Sequence, residues 1–231
     1  MKVIKDNSTQ KTARVAGILF LLSLLVPVLN WGLILSKFTS PGSDTSLNIL
    51  NDELLFRLNI VIGIFSAIVI LTLNIYLYRL LCAVNRSLAL VAFSLKMIEA
   101  ILSATLFLGH FIALLVLKGD PQNIEAHKII NHLVENYISF TAVSGIFFGL
   151  SMLIYSYLFL KSGYIHLTVV LLGVVSYSLV IIYDFLAILF PCFTGILSIQ
   201  ILSSVPVSLF QITIGLLLSI KGIIINPIHK R

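Results

Sequence analysis

The stretch LALVAFSLKMIEAILSATLFLGHFIALLVL, residues 88–117, decides the fold. At about 1.5 Å of rise per residue it is longer as a helix than the roughly 30 Å hydrocarbon core of a bilayer. Lys96, Glu99 and His110 are its titratable groups. In hydrocarbon no water can satisfy a backbone N–H or C=O, so such a segment has to bond to itself, as an α-helix does.

Working outward, five more apolar runs appear, and the spans are predicted at about residues 15–35, 58–80, 88–117, 138–160, 164–190 and 199–220. The whole chain is 59% hydrophobic and 10% charged, with mean hydropathy +1.10. A soluble domain carries roughly a quarter charged residues and cannot bury so much apolar surface. The expected fold is an all-α polytopic membrane helical bundle of about six transmembrane helices, forming a single membrane domain over residues 1–231. The first run is too long for a signal-peptide core of about 7–15 residues and no A-x-A site follows it, so it reads as a retained span.

Local chemistry punctuates the spans. Pro27 predicts a kink in the first. Asp44 follows the turn-rich Ser40-Pro41-Gly42-Ser43, and Leu47, Leu50, Leu54, Leu55 and Leu58 recur at helical spacing, which predicts a surface helix over 44–56. Gly119 closes span three, and Asp120-Pro121 has the chemistry of a helix start. A second surface helix is expected over 121–135, with Ile129, Ile130, Leu133, Val134 and Tyr137 on one face and Lys128, Asn131 and Glu135 opposite. Lys161-Ser162-Gly163 turns the chain between spans four and five, and Pro191 stops span five. The region with Pro206 reads as one kinked helix or as an interfacial segment followed by a span.

Lys2, Lys5, Lys11, Arg14, Arg79, Arg86, Lys161, Lys221, Lys230 and Arg231 fall on one side of this topology, against Lys37, Arg57, Lys118 and Lys128 on the other. Positive residues beside spans stay cytoplasmic, which predicts both termini inside. The net charge of +6 is spread between spans, with no basic patch interleaved with aromatics, so nucleic acid is not an expected partner. Cys82 and Cys192 fall at opposite membrane faces, which excludes a disulfide between them on this topology.

Ionisable groups inside a span cost at least about 2.5 kcal/mol at the bilayer centre and need a reason to be there. Lys96, Glu99, Ser103 and His110 lie at roughly 0, 300, 340 and 320 degrees around span three, one polar stripe. Lys96 and Glu99 are spaced to pair. Asp184 on span five lies at a depth similar to His110, within reach of it. Together Lys96, Glu99, His110 and Asp184 form a candidate polar centre, either a proton or substrate path or a polar contact that fixes helix register. His127, His132 and Glu135 do not share a helix face and predict no metal site. Gly145 and Gly149 form GxxxG, read as close packing within the chain, with dimerisation the lesser alternative. Asn59, Asn74, Gln200 and Gln211 read as interhelical hydrogen-bonding groups. No phosphate loop, CxxC pair or nucleophile elbow is present, so no catalytic residue and no cofactor is expected.

Residues 15–25 and 143–153 match at Val15, Gly17, Ile18, Phe20, Leu22, Ser23 and Leu25. Because spans one and four enter from opposite sides, an inverted three-plus-three repeat is one reading, and chance likeness between apolar helices is the other.

Several segments, in order, carry a family resemblance: Arg14-Val15-Ala16-Gly17-Ile18-Leu19, Leu55-Phe56-Arg57-Leu58, Leu77-Tyr78-Arg79-Leu80-Leu81 through Val84-Asn85-Arg86 to Leu88-Ala89-Leu90, Lys161-Ser162-Gly163-Tyr164-Ile165, and Tyr183-Asp184 through Pro191. They resemble the bacterial domain-of-unknown-function family 4386, which comprises multi-pass membrane proteins. The chain departs from that pattern at Cys82-Ala83, where a Lys-Pro pair is common, and at His166, where proline is usual. The resemblance implies a bacterial cytoplasmic membrane location and adds Arg57, Arg79 and Asn85 to Glu99 and Asp184 as site candidates. Membrane lipids are the expected partners. Three function classes follow: a small-solute, ion or lipid transporter, a structural, sensory or partner-binding membrane protein, and an intramembrane enzyme.

Overall fold

A computed structural model describes residues 7–39, 44–120, 122–135, 137–190 and 197–223. Pro41, Pro121, Pro191 and Cys192 lie outside these residues. The elements are α1 (Asn7–Asn30), α2 (Ser36–Phe38), α3 (Thr45–Asn51), α4 (Glu53–Leu81), α5 (Arg86–Gly119), α6 (Ile124–Glu135), α7 (Tyr137–Ser162), α8 (Leu167–Leu189) and α9 (Leu197–Ile220), with no strand among the described residues. Six helices are long and apolar enough to cross a membrane. They are α1 with its continuation into α2, then α4, α5, α7, α8 and α9.

Each spanning helix packs on the next in sequence, and α9 returns to pack on α1, which closes a ring of six. The first run of the sequence is therefore built into the bundle. At the closure the Gln10 side chain donates to the Ile223 carbonyl at 2.9 Å and accepts from the Ile223 N–H at 3.2 Å. The start of α1 and the end of α9 thus share one end of the bundle, called here the terminal end. α3 and α6 contact each other at the opposite, capped end.

Two apolar clusters hold these ends. At the terminal end Phe20, Leu77, Tyr155, Leu158, Val170, Tyr177, Phe210 and Leu218 belong to a core to which all six spans contribute. The capped end is sealed by a smaller cluster with Phe38, Ile49, Phe56, Leu114, Leu117, Ile130 and Val134, drawn from α2, α3, α4, α5 and α6. Among the described residues, α7, α8 and α9 contribute nothing to that second cluster.

Several boundaries differ from the sequence reading. α3 ends at Asn51, and residues from Glu53 onward already belong to α4, because Asp52 leaves the helical region at φ −116° and ψ 47°. The break lets Phe56 on α4 and Ile49 on α3 both enter the capped-end cluster. Leu47 and Leu54, the predicted buried side, are exposed instead. Asp44 caps α3, accepting from Ser46 N and Leu47 N. Hydrogen bonds from the Ser46 hydroxyl and the Asn131 side-chain amide, with those backbone amides, hold the Asp44 carboxyl below its usual pKa.

Asp120 is the C-cap of α5, and α6 starts three residues later with Asn123 accepting from Ala126 N at 3.0 Å. On α6 the apolar face is divided: Ile130 and Val134 are buried, while Ile129 and Leu133 point outward. Asn131 is not on a solvated face, since its Oδ1 accepts from Ser46 N at 2.7 Å. His127 Nδ1 lies 2.6 Å from Ser46 Oγ, so this histidine faces α3.

The chain passes through Pro27 in α1 and, one turn later, widens into a π-helical turn at Trp31–Leu35. Proline offers no N–H to the preceding turn, and a π turn re-registers the ladder beyond it. α9 is a single helix through Pro206, which settles the last apolar region among the described residues. Between α7 and α8 the chain turns at Gly163, whose φ of +64° is a left-handed value that side chains disfavour.

The matching stretches of α1 and α7 do not behave as repeat mates. A side chain at Gly17 would meet the backbone of Ser219 on α9, whereas one at Gly145 would meet Asp184 on α8. In a three-plus-three repeat the equivalent of the α7–α8 contact is α1–α4, not α1–α9. The likeness is that of two helices under the same demand for a small residue at a close crossing.

Candidate functional site

Between the two apolar clusters lies a partly open cavity of about 410 Å³ lined by residues of all six spans. α5 supplies Lys96, Glu99 and Ser103; α8 supplies Tyr183 and Asp184; α1 supplies Asn30 and the π turn after it Trp31. The helical spacing on α5 explains the first set: residues three or four apart stack on one face, and that face looks inward. Lys96 Nζ lies 2.7 Å from Glu99 Oε2, and both side chains are almost fully buried. The same ammonium sits over the Phe148 ring of α7, 4.3 Å from its centroid. A desolvated cation over an aromatic face is worth up to about 2 kcal/mol, so Lys96 is held from two sides.

Asp184 is 7% exposed, and its Oδ2 has no hydrogen-bond partner among the described residues. That oxygen packs against Gly145 of α7, in the space a Cβ would occupy. The glycine therefore serves the contact of α7 with α8 within the chain. Gly145 and Phe148 are three residues apart on α7, which sets Asp184 about 4.5 Å nearer the capped end than Lys96.

His110 leaves this group. It does not line the central cavity; it borders a second, smaller one of about 220 Å³. Its Nδ1 lies 3.2 Å from Asn59 Nδ2 on α4, and its ring packs beside Phe56 and Phe107. Asn59 in turn accepts from Asn30 Nδ2 at 2.9 Å, so α1, α4 and α5 are tied by one buried polar chain. The depth argument that put His110 beside Asp184 ignored azimuth: His110 is turned to α4 and Asp184 to α7.

The remaining candidates sit at helix ends. Asn85 is the N-cap of α5, accepting from Leu88 N at 3.0 Å. Arg57 Nε donates to Glu53 Oε1 at 2.7 Å, and Arg79 lies in the last turn of α4. None of the three lines the cavity. Asn74 donates to the Phe93 carbonyl at 3.0 Å and accepts from the Tyr155 hydroxyl at 2.7 Å, joining α4, α5 and α7. Gln211 lines the cavity. No three His, Cys, Asp or Glu side chains among the described residues converge as a metal site would require.

Of the wall residues, Asn30, Tyr183 and the serines that helices other than α5 bring in were not among the sequence candidates. Asn30, a buried amide within a span, was the one with a visible signal.

A family model described as "Domain of unknown function (DUF4386)" matches residues 15–222. The chain belongs to the DUF4386 family. The match runs from the first turns of α1 to the end of α9, so the whole six-span ring and its cavity lie inside the family unit. No curated protein and no solved structure matches this DUF4386 chain.

Proposed function

We propose that this DUF4386 protein is a small-solute carrier of the bacterial cytoplasmic membrane, with both termini in the cytoplasm and the central cavity as its solute chamber. One observation carries the reading: a cavity of about 410 Å³ that all six spans line and that holds a buried cation and two carboxyls. Charged side chains at bilayer depth are expensive and mark substrate or ion paths. Among the described residues Lys11, Arg14, Arg79, Arg86, Lys161 and Lys221 lie towards the terminal end, and this basic side supports the orientation.

Closure supports it too. All six spans contribute to the apolar core at the terminal end, while among the described residues the cluster at the capped end draws on the π turn Trp31–Leu35 and α2 to α6, with nothing from α7, α8 or α9. On the proposed orientation the chamber is sealed towards the cytoplasm. Pro27, with the π turn that follows α1, and Pro206, inside a continuous α9, each remove a backbone donor from the two helices that close the ring. Ser23, Ser144 and Ser208 on the wall each donate to a carbonyl of their own helix, which leaves these three without the neighbouring base a nucleophile needs and suits a binding wall.

The test is uptake of a mixture of small polar metabolites by proteoliposomes, read by mass spectrometry. At least one solute should equilibrate tenfold or more faster than in liposomes with the Lys96→Met/Glu99→Gln protein. Equal uptake by the two would overturn the carrier reading and favour a scaffold in which the ion pair serves packing alone.

A further inference from the structure

The polar atoms of the chamber are mismatched in a way that specifies what would fill it. Asp184 Oδ2 and Asn30 Oδ1 are buried, and neither has a hydrogen-bond partner among the described residues. Both are acceptors, since the Asn30 Nδ2 is already donated to Asn59 Oδ1. Three of the wall hydroxyls lean the same way. Ser23 donates to the Phe20 carbonyl, Ser144 to that of Thr141 and Ser208 to that of Ser204. A carbonyl can only accept, so each serine has used its proton and presents lone pairs.

Charge points in the same direction. Lys96 is the one cation among the described residues of the wall, and it is committed to Glu99 and the Phe148 ring. Asp184 is left without a counter-charge. Trp31 and Tyr183 on the wall add π faces that attract a cation. The space is that of an organic molecule, because cavities of about 300–1,000 Å³ hold small ligands whereas one water takes only about 30 Å³.

Resting on the reading of the cavity as a solute chamber, we infer that its ligand is a small organic ammonium compound, whose N–H donors and single positive charge meet Asp184 and Asn30. The ammonium faces Asp184, a carboxyl of the wall with no counter-charge of its own, and its carbon skeleton lies against Leu106, Phe107 and Val207. A buried acceptor left unpaired costs about 1–3 kcal/mol, more when charged, so a donor-rich ligand is favoured over an isostere that cannot donate to both.

The experiment measures thermal unfolding of the purified full chain in detergent with methylammonium or n-butylammonium, and with butyrate and n-butanol as matched controls. At tenfold excess over its Kd an ammonium should raise the Tm by about 4 °C, with no rise from butyrate or butanol. Asp184→Asn should cut that rise to below about 1 °C, and Asp184→Glu should retain part of it. If butanol or butyrate stabilises as well as the ammonium set does, the ammonium assignment falls while the chamber stands. If no ammonium shifts the Tm, the assignment also falls, and the uptake assay judges the carrier reading by itself. The wild-type comparison needs no variant, so a failure of Asp184→Asn to fold leaves the test intact.

Discussion

The ion pair on α5 gives the sharpest test of how this bundle is held. Lys96 and Glu99 are 2.7 Å apart with side-chain exposures of 3% and 8%. Removing one member of such a pair leaves a buried charge without its partner and costs about 3–5 kcal/mol, whereas removing both is close to neutral. Lys96→Met strands Glu99 and leaves it near Asp184, with no cation on the described wall. Glu99→Gln leaves Lys96 on the Phe148 ring, which keeps part of its stabilisation. We expect about 4 kcal/mol for the first and about 3 for the second, and a cost below about 2 for the double variant. The coupling in a double-mutant cycle is then about 5 kcal/mol, within the range measured for close charge pairs. For a protein of this size each kcal/mol moves the Tm by about 2–4 °C, so Lys96→Met should melt about 12 °C below wild type and the double variant within about 6 °C. Differential scanning fluorimetry in one detergent and at one pH would read all four proteins. Single variants that melt within about 1 °C of wild type would refute the reasoning, because they would show a pair solvated like one on a surface. Additive losses in the double variant would refute it as well.

Three further outcomes follow from other contacts. Gly145→Ala should cost about 1–3 kcal/mol, since the added methyl falls on the Asp184 carboxylate, and Gly145→Ala/Asp184→Ala should recover part of that loss in the same melting assay. His166→Pro should stabilise by about 0.4–1 kcal/mol, because the His166 φ of −59° is one that proline imposes; a lower Tm would show that its exposed contact with Thr168 matters more. The Asp44 carboxyl has a folded-state pKa below its unfolded value, so its contribution to the α3–α6 contact is complete above the ordinary aspartate pKa of about 3.9 and is lost as pH falls through the folded value. Hydrogen exchange over Ile124–Glu135 should therefore quicken, relative to the intrinsic rate, below about pH 4 in wild type and show no such step in Asp44→Asn.

How much of this was legible in the chain depends on the range of the forces involved. That α5 is a helix long enough to cross a bilayer follows from residues 88–117 alone, because in hydrocarbon the backbone has no other way to satisfy itself. The inward stripe of Lys96, Glu99 and Ser103 followed from helical periodicity, which is local. The turn at Gly163 and the cap at Asn85 were local also.

Tertiary structure decided what the stripe faces. His110 shares the azimuth of Lys96 and Glu99 on α5, yet over 11 residues the neighbouring helices change, and it meets Asn59 where Glu99 meets a cavity. α3 and α6 show the same limit. Leucine spacing predicted their buried faces, but Ser46, Asn131 and His127 bury themselves by bonding to one another across about 80 residues of sequence. The sequence by itself determined six spanning helices and the polar stripe of one of them, since those follow from backbone bonding and period. Whether a charge is paired, packed or left without a partner is set by the helix opposite, and only closure of the ring through α1 and α9 put Asn30, Asp184 and the Lys96–Glu99 pair around one space.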